Sequence, residues 1–524
     1  MEGMKKTGIL HMLFVIASVL CIYSCTKYFE DYNHNPNEAT DEELERDNYN
    51  WGSKLLQLQS NVIPVQEHLY QFTEILAGMA YGGYAESTVD SWSTKFSTFN
   101  PSSDWLKAPF VDVMTETYAP YRGIMAATDD PLPLALAKVL RVAIMHRVTD
   151  QYGPIPYSQI LENKQELLTV QYDSQKDVYL KMFEELDEAV SVLKDNIALS
   201  TEAFNEYDLV YGGNISRWIL FANSLKLRMA MRLSEVDPTI AMTKAMEAIE
   251  AGVIEANTDN ARYKPTTNRC AMIWNDWQDH VVSADLASYL NGYSDPRATK
   301  MFTIVNGQVA GLRIGSTPAV KADAIAYCSF PVVSDDDSFL WINAAEVSFL
   351  RAEWELRWGT RTNAEELYRN GVSLSFEDWG CGDASSYLEV DAKPMDFENP
   401  LVSTTPLDVS FAAMSTITPM WNDADDFETA LERIITQKWI AIFPLGNEAW
   451  AEYRRTGYPK LAPVPEGGDK SGGTVTRKYG ARRLSYPSEE YAENRENVTT
   501  AVTTLLGGTD NLGTRVWWDC KKLN

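Results

Sequence analysis

The sequence predicts a mainly α protein in which about four tetratricopeptide-like helical hairpins pack against an irregular, loop-rich half with a few short strands. Three observations predict it. Residues 344–376, AAEVSFLRAEWELRWGTRTNAEELYRNGVSLSF, carry two helical periods back to back. Further helical runs occupy 132–149, 174–194, 216–234 and 238–251. Residues 255–343 then lose the helical period and are rich in Asn, Asp, Gly and Tyr, and 377–425 is irregular again.

In the 344–376 stretch, Val347, Leu350, Trp354 and Trp358 fall on one helical face, and Gly359 ends that helix at low conformational cost. Thr362 and Glu365 have capping-box spacing, which predicts the start of the second helix there. Ala364, Leu367, Tyr368, Gly371, Val372 and Ser375 make its stripe, and small residues at Ala352, Ala364 and Gly371 allow two backbones to approach closely. Such a hairpin must bury its second face on a neighbour. An ordinary helix pair in an all-α core satisfies the same pattern, and in either case the stretch is scaffold rather than chemistry.

From the N-terminus, residues 1–24 read as a lipoprotein-type signal peptide. Lys5 and Lys6 form a basic start, and Ile9–Tyr23 is apolar but short for a membrane span. Ile22-Tyr23-Ser24 sets a small residue immediately before Cys25, the order of a bacterial lipobox, so Cys25 is the expected lipidated first residue. Acyl chains there would hold the protein on a membrane while the rest stays in water; a plain secretory signal is the alternative. Residues 25–50 read as a polar tether, and 51–524 as one domain.

That domain opens with helical patterns at 51–63 and 65–81, then Tyr81-Gly82-Gly83-Tyr84, then SWSTKFSTFNPSSDW over 91–105 with no helical period. Phe96 and Phe99 are expected to be buried, while Trp92 and Trp105 fit either a binding surface or a small satellite core. The apolar helix at 132–149 stops at Asp150-Gln151-Tyr152-Gly153-Pro154-Ile155-Pro156-Tyr157, where Gly and Pro fix a turn. The 174–194 helix, with Val178, Met182, Leu186, Ala189 and Leu193 inward, is expected to pair with 216–234. Strands are predicted at 301–305 and 326–330, and a last helical pair at 427–443 and 446–455. The scaffold is thus placed at about 132–252 and 344–376, and ligand-facing variable segments at about 81–131, 255–343 and 377–425.

Composition narrows function. Apolar residues at 45% and charged residues at 23% are those of a folded soluble protein. A formal charge of −27 with no basic run excludes nucleic acid as a partner. The 15 Trp and 26 Tyr are generous, and rings outside the core would suit a flat ligand such as a sugar. There is no phosphate-loop glycine pattern, nucleophile elbow or His-Glu-x-x-His, and the five His are scattered. Cys270, Cys328, Cys381 and Cys520 lack metal spacing, and their disulfide state is left open. Asp335, Asp336 and Asp337 could offer oxygens to calcium, but three adjacent carboxylates are more often a solvated loop. No carboxylate pair stands out for glycoside hydrolysis. No catalytic residue and no cofactor are therefore assigned.

Several segments, in order, carry a resemblance. They are the lipobox at Cys25; Asn35-Pro36-Asn37; Thr149-Asp150-x-Tyr152-Gly153-x-Ile155-Pro156-Tyr157; Asp295-Pro296-Arg297; Ala345-Glu346-Val347 through Ala352-Glu353; Gln437-Lys438-Trp439; Glu448-Ala449-Trp450; and Arg454-Arg455-Thr456-Gly457-Tyr458-Pro459. The chain resembles the SusD/RagB family of nutrient-binding outer-membrane lipoproteins of Bacteroidetes, in the SusD-like branch with the Asn-Pro-Asn start. The resemblance implies a cell-surface lipoprotein anchored at Cys25 that captures glycan and acts as the lid of a SusC-like TonB-dependent β-barrel transporter. It also implies binding of glycan, or in some members peptide, without cleavage. The alternatives are a helical-repeat lid or peptide-binding protein without glycan binding, and, more remotely, an anchored glycan hydrolase. Capture would work by aromatic faces covering sugar rings while Asn, Asp and Arg bond hydroxyls. Trp92, Trp105, Trp274, Trp277 and Tyr293 are the stacking candidates because they sit in irregular stretches, with Tyr81 and Tyr84 behind them. Trp354 and Trp358 are assigned to the core, and Trp439 and Trp450 to packing.

Overall fold

The computed structural model describes residues 48–161, 169–198, 202–401 and 409–522. Packing is described for Trp51–Asn524, one of the two units into which the chain divides. Cys25, Asn35-Pro36-Asn37 and most of the tether lie outside the described residues.

The helices that build the scaffold are α1 (Tyr49–Val62), α2 (Glu67–Tyr70, continuing as π-type turns over Gln71–Met79), α3 (Val113–Ala127), α4 (Pro131–Tyr152), α5 (Gln175–Asp195), α6 (Ile215–Arg232), α7 (Pro238–Ala251), α8 (Ala344–Trp358), α9 (Arg361–Asp378), α10 (Phe427–Ala441) and α11 (Gly446–Thr456). Strands are short: β1 (Ala85–Ser87) pairs antiparallel with β3 (His280–Val282), and β2 (Ala261–Tyr263) with β4 (Phe339–Ile342). The mainly helical, hairpin-built fold expected from the sequence is the fold observed.

Local chemistry sets the helix ends. Ser174, Asp237, Asn343 and Asp426 each cap a helix by accepting a backbone N–H in its first turn. The start of α9 differs from the Thr362/Glu365 capping box. Thr360 is the cap, its hydroxyl accepting from Asn363 N at 3.2 Å, because Gly359 ends α8 and leaves room for only one extended residue before the chain turns back. The α8/α9 hairpin closes as its small residues predict. A methyl on Gly371 would lie 2.8 Å from the Phe349 ring, and Val347, Leu350, Ala352, Ala364 and Val372 are fully buried. Trp354 and Trp358 are only half-buried at the outer end of α8, with ring centroids 6.2 Å apart.

Two pairings differ from expectation. α5 seats chiefly on α4 and only secondarily on α6, while α6 pairs with α7. The α4–α5 link contains the fixed Gly153–Tyr157 turn, which returns the chain along α4, and Asp173 N bonds Ile155 O at 2.9 Å. α10 and α11 follow one another, but α10 packs on α8 while α11 packs on α2 and α4. The predicted strands at 301–305 and 326–330 are absent as strands: Phe302 and Val305 make isolated bridges, and Lys321–Tyr327 is a short helix. β-propensity marks where a strand fits, but Phe302 bridges only Pro331 and Val305 only Gln308, single pairings that do not extend into a ladder.

The shared motifs turn out to be clamps. Asp150 accepts from Trp518 Nε1 at 2.8 Å, from the Tyr179 hydroxyl at 2.5 Å and from Arg232 Nε at 3.3 Å. Arg297 is fully buried, paired with Asp295 at 2.6 Å and bonded to Ser375 and Gln437. Arg454 lies over two indoles, 3.7 Å from the Trp450 ring centroid and 4.7 Å from that of Trp518, so the C-terminal tail is stitched onto α11.

Candidate functional site

The β1–β3 ribbon and the loops around it form the irregular surface where the sequence placed ligand contacts. Trp92 is half-exposed. Its ring meets Trp105 edge-on at 5.2 Å and tilts against His280 at 6.3 Å. Trp105, also half-exposed, rests on Phe72 at 5.6 Å and stacks on buried Phe96 at 6.0 Å. Trp92 is thereby supported from below by a rigid aromatic stack. No hydrogen-bond partner for its indole N–H is found among the described residues.

Trp92 lines a cleft of about 580 Å³, a size suited to enclosing a small ligand. Its walls come from loops at 90–93, 312–318 and 465–470, with Asn399, Leu401 and Val409. A buried carboxylate organises them. Glu86, the middle residue of β1, accepts from Gly315 N at 2.7 Å, Ser97 Oγ at 2.9 Å and Ser87 N at 2.9 Å, with Lys95 Nζ at 4.0 Å. Burial pushes the Glu86 carboxyl up, Lys95 and these donors pulling it back; burial likewise pushes the Lys95 ammonium down. Lys95 in turn donates to Thr317 Oγ1 at 3.0 Å, and Lys470 N to Thr98 O at 3.0 Å. Gly315 has φ +77°, and a methyl on Gly468 would sit 2.1 Å from the Gly315 carbonyl oxygen, so the two rim loops touch only because both positions are glycine.

Asn399 is the wall residue with an unmet valence. It is 6% exposed, its side-chain oxygen accepts from Leu401 N at 3.1 Å, and its Nδ2 has no partner among the described residues. A buried amide donor left open in a cleft wall is costly unless a ligand or water meets it. Sequence reasoning missed Asn399 and Glu86. The only available signal was their presence in, or beside, segments without helical period.

The other sequence candidates divide by burial. Trp277 is half-exposed and stacks on the exposed His68 at 5.0 Å, while Lys321 ties its carbonyl and Asp279 together. Trp274 is 3% exposed against His280. Tyr84 and Tyr293 are each 1% exposed: Tyr84 stacks on Trp439 and donates to its carbonyl, and Tyr293 donates to Ile417 O at 2.9 Å. Tyr81 is buried against Trp450 and Phe99. The structure therefore brings Trp92 and Trp105 together, leaves Trp277 half-exposed on His68 and outside the lining of the Trp92 cleft, and places Trp274, Tyr81, Tyr84 and Tyr293 inside. Trp439 and Trp450 are in the core, and so are Phe96 and Phe99.

Asp335, Asp336 and Asp337 form an exposed turn in which Asp337 accepts from Ser334 N at 2.9 Å. Among the described residues no group of three or more acidic, His or Cys side chains is placed to hold a metal ion. All four described cysteines are free thiols, Cys270 and Cys328 buried. No described helix is long and apolar enough to cross a membrane.

Comparison with known proteins agrees with this architecture. The family model described as "SusD-like: Susd and RagB outer membrane lipoprotein" matches residues 31–519. Among solved structures, a SusD homologue from Bacteroides thetaiotaomicron is 46% identical with a TM-score of 0.85, over 91% of this chain and 100% of its own. A SusD homologue from Bacteroides uniformis is 40% identical, TM-score 0.83, over 90% and 100%. A chitin-binding SusD homologue from Flavobacterium johnsoniae is 35% identical, TM-score 0.82, over 90% and 99%. Comparison with curated proteins finds no match. The helical-hairpin scaffold with an irregular face is the architecture of this family, and the chain belongs to the SusD/RagB family of outer-membrane lipoproteins. That family is one of glycan-binding companions of outer-membrane transporters.

Proposed function

We propose that this protein, anchored in the outer membrane through Cys25 and facing outward, captures a glycan in the Trp92 cleft and delivers it to a TonB-dependent β-barrel over which it acts as a lid. One observation carries the glycan reading: a supported, half-exposed indole shares a cleft with the buried Asn399 Nδ2, and among the described residues neither N–H has a partner. The apolar face of a sugar ring covers the indole, and a sugar oxygen accepts from the amide. Family membership supports the barrel and the anchor. The reading is capture without cleavage and needs no cofactor. The chitin-binding relative makes N-acetylglucosamine oligomers the first probes.

The test is a thermal-shift screen of residues 26–524 against a panel of poly- and oligosaccharides and a peptide mixture. A ligand bound only by the native state at a hundred times its Kd adds about 2.7 kcal/mol, which raises Tm measurably. One glycan class is expected to give a saturable shift that Trp92→Ala removes. A shift with peptides alone, or with nothing, overturns the glycan reading in favour of a peptide binder or a lid without soluble ligand. Release of product from a glycan would indicate a hydrolase.

A further inference from the structure

We propose a second saccharide-binding site in this protein, built around Trp379. A separate cavity of about 600 Å³ opens between α2, residues 268–274, residues 331–340, the end of α9 and Phe443–Leu445. It shares no lining residue with the Trp92 cleft. Its floor is aromatic and buried: Tyr70, Trp274, Phe339 and Phe443. Trp379, which ends α9, lines the same cavity half-exposed, packed on the core by one side. Unlike the core tryptophans, it has neither a ring neighbour nor a partner for its indole N–H among the described residues.

Hydrogen-bonding groups stand beside that ring. Arg262 pairs with Asp378 at 2.6 Å while both stay on the cavity wall. Lys300 also lines it, exposed and with no side-chain partner among the described residues. An indole face next to groups of both signs suits a ring that is apolar on one face and hydroxylated at its edge, and does not suit a wholly apolar or a singly charged ligand. Glu74 and Met79 of the π-type stretch Gln71–Met79, an irregularity of a kind that recurs at functional sites, also line the cavity. Glu74 is held by Arg147 and by Asn447 Nδ2 at 3.2 Å. The inference uses the same ligand class as the Trp92 reading but a different set of residues.

The experiment is isothermal titration of residues 26–524 with short N-acetylglucosamine, glucose, mannose and galactose oligomers, using wild type, Trp92→Ala, Trp379→Ala and Trp379→Phe. The Trp92→Ala protein is expected to keep one saturable site. Trp379→Ala should weaken that site by about tenfold or more, the effect of losing one ring face, leave the Trp92-dependent site unchanged, and recover with Trp379→Phe. Binding that vanishes entirely in Trp92→Ala, or is indifferent to Trp379→Ala, overturns the second site and leaves the first standing. Binding sensitive to Trp379 alone overturns the first and sustains the second. Silence across the whole panel overturns both.

Discussion

Arg455→Met is the sharpest test of what holds the scaffold behind these clefts. Arg455, on α11, is fully buried; it donates to both oxygens of Glu353 at 2.6 Å, to Glu452 at 2.7 and 3.0 Å, and to Ser234 at 2.8 Å. Glu452 also meets Lys438 at 3.2 Å, and Glu448 faces Arg228 at 3.8 Å and Lys438 at 3.5 Å, so one network joins α6, α8, α10 and α11. Methionine fills most of the volume but strands two buried carboxylates short of a cation. Breaking a buried pair from one side costs about 3–5 kcal/mol. At about 2.1 cal/mol/K per residue, the roughly 460 described residues give an unfolding entropy of roughly 1 kcal/mol per degree near the midpoint, so Tm should fall by about 3–5 °C. Calorimetry at neutral pH reads this directly, with the exposed Lys181→Met as a control expected to change stability by less than about 0.5 kcal/mol. A fall of under about 1 °C for Arg455→Met would refute the claim that the network, rather than apolar packing alone, fixes these helices.

Acid should weaken the same network. Burial opposes ionisation of Glu448, yet Arg232, Arg228 and Lys438 outweigh it and hold the carboxyl down from 4.5 to about 2; Glu452 is likewise held low. A depressed folded pKa contributes stability above the unfolded value and loses it below, so Tm should drop as pH falls from 4.5 towards 2, less steeply in Glu448→Gln. Asp285 works in the opposite sense: burial raises its carboxyl from 3.8 to about 6, so its protonation adds stability as pH falls through that window, and Asp285→Asn should remove the gain in the same melting series. Gly468→Ala drives a methyl against the Gly315 carbonyl and should part the two rim loops. Titration should show weakened binding in the Trp92 cleft, with a stability loss of about 1–3 kcal/mol in the melt.

The scaffold was readable because each helix advertises itself locally, by period, by cap and by a glycine at the end. The span 238–251 was placed to the residue, and the α8/α9 stripe was read correctly through Gly371. What failed was information held between distant segments. Which helix α5 prefers is decided by a turn around Gly153 and Asp173, and β2 finds its partner at Phe339–Ile342. The candidate site is legible only in part, for the same reason. Trp92 stood out as an aromatic without helical period, but so did Tyr293, which the fold encloses. Asn399, Glu86 and Trp379 were marked only by lying in or beside segments without helical period; what singles them out is, among the described residues, an N–H without a partner, a carboxylate buried under three donors, and an indole without a ring neighbour.

The central claim is that a sugar ring lies on Trp92 with Asn399 as its hydrogen-bond partner. A crystal structure of the protein with the oligosaccharide that raises its Tm tests this most directly. The account predicts a pyranose face in van der Waals contact with the Trp92 indole and an oxygen within hydrogen-bond distance of Asn399 Nδ2. Sugar density elsewhere, with the cleft at Trp92 holding only solvent, would contradict it.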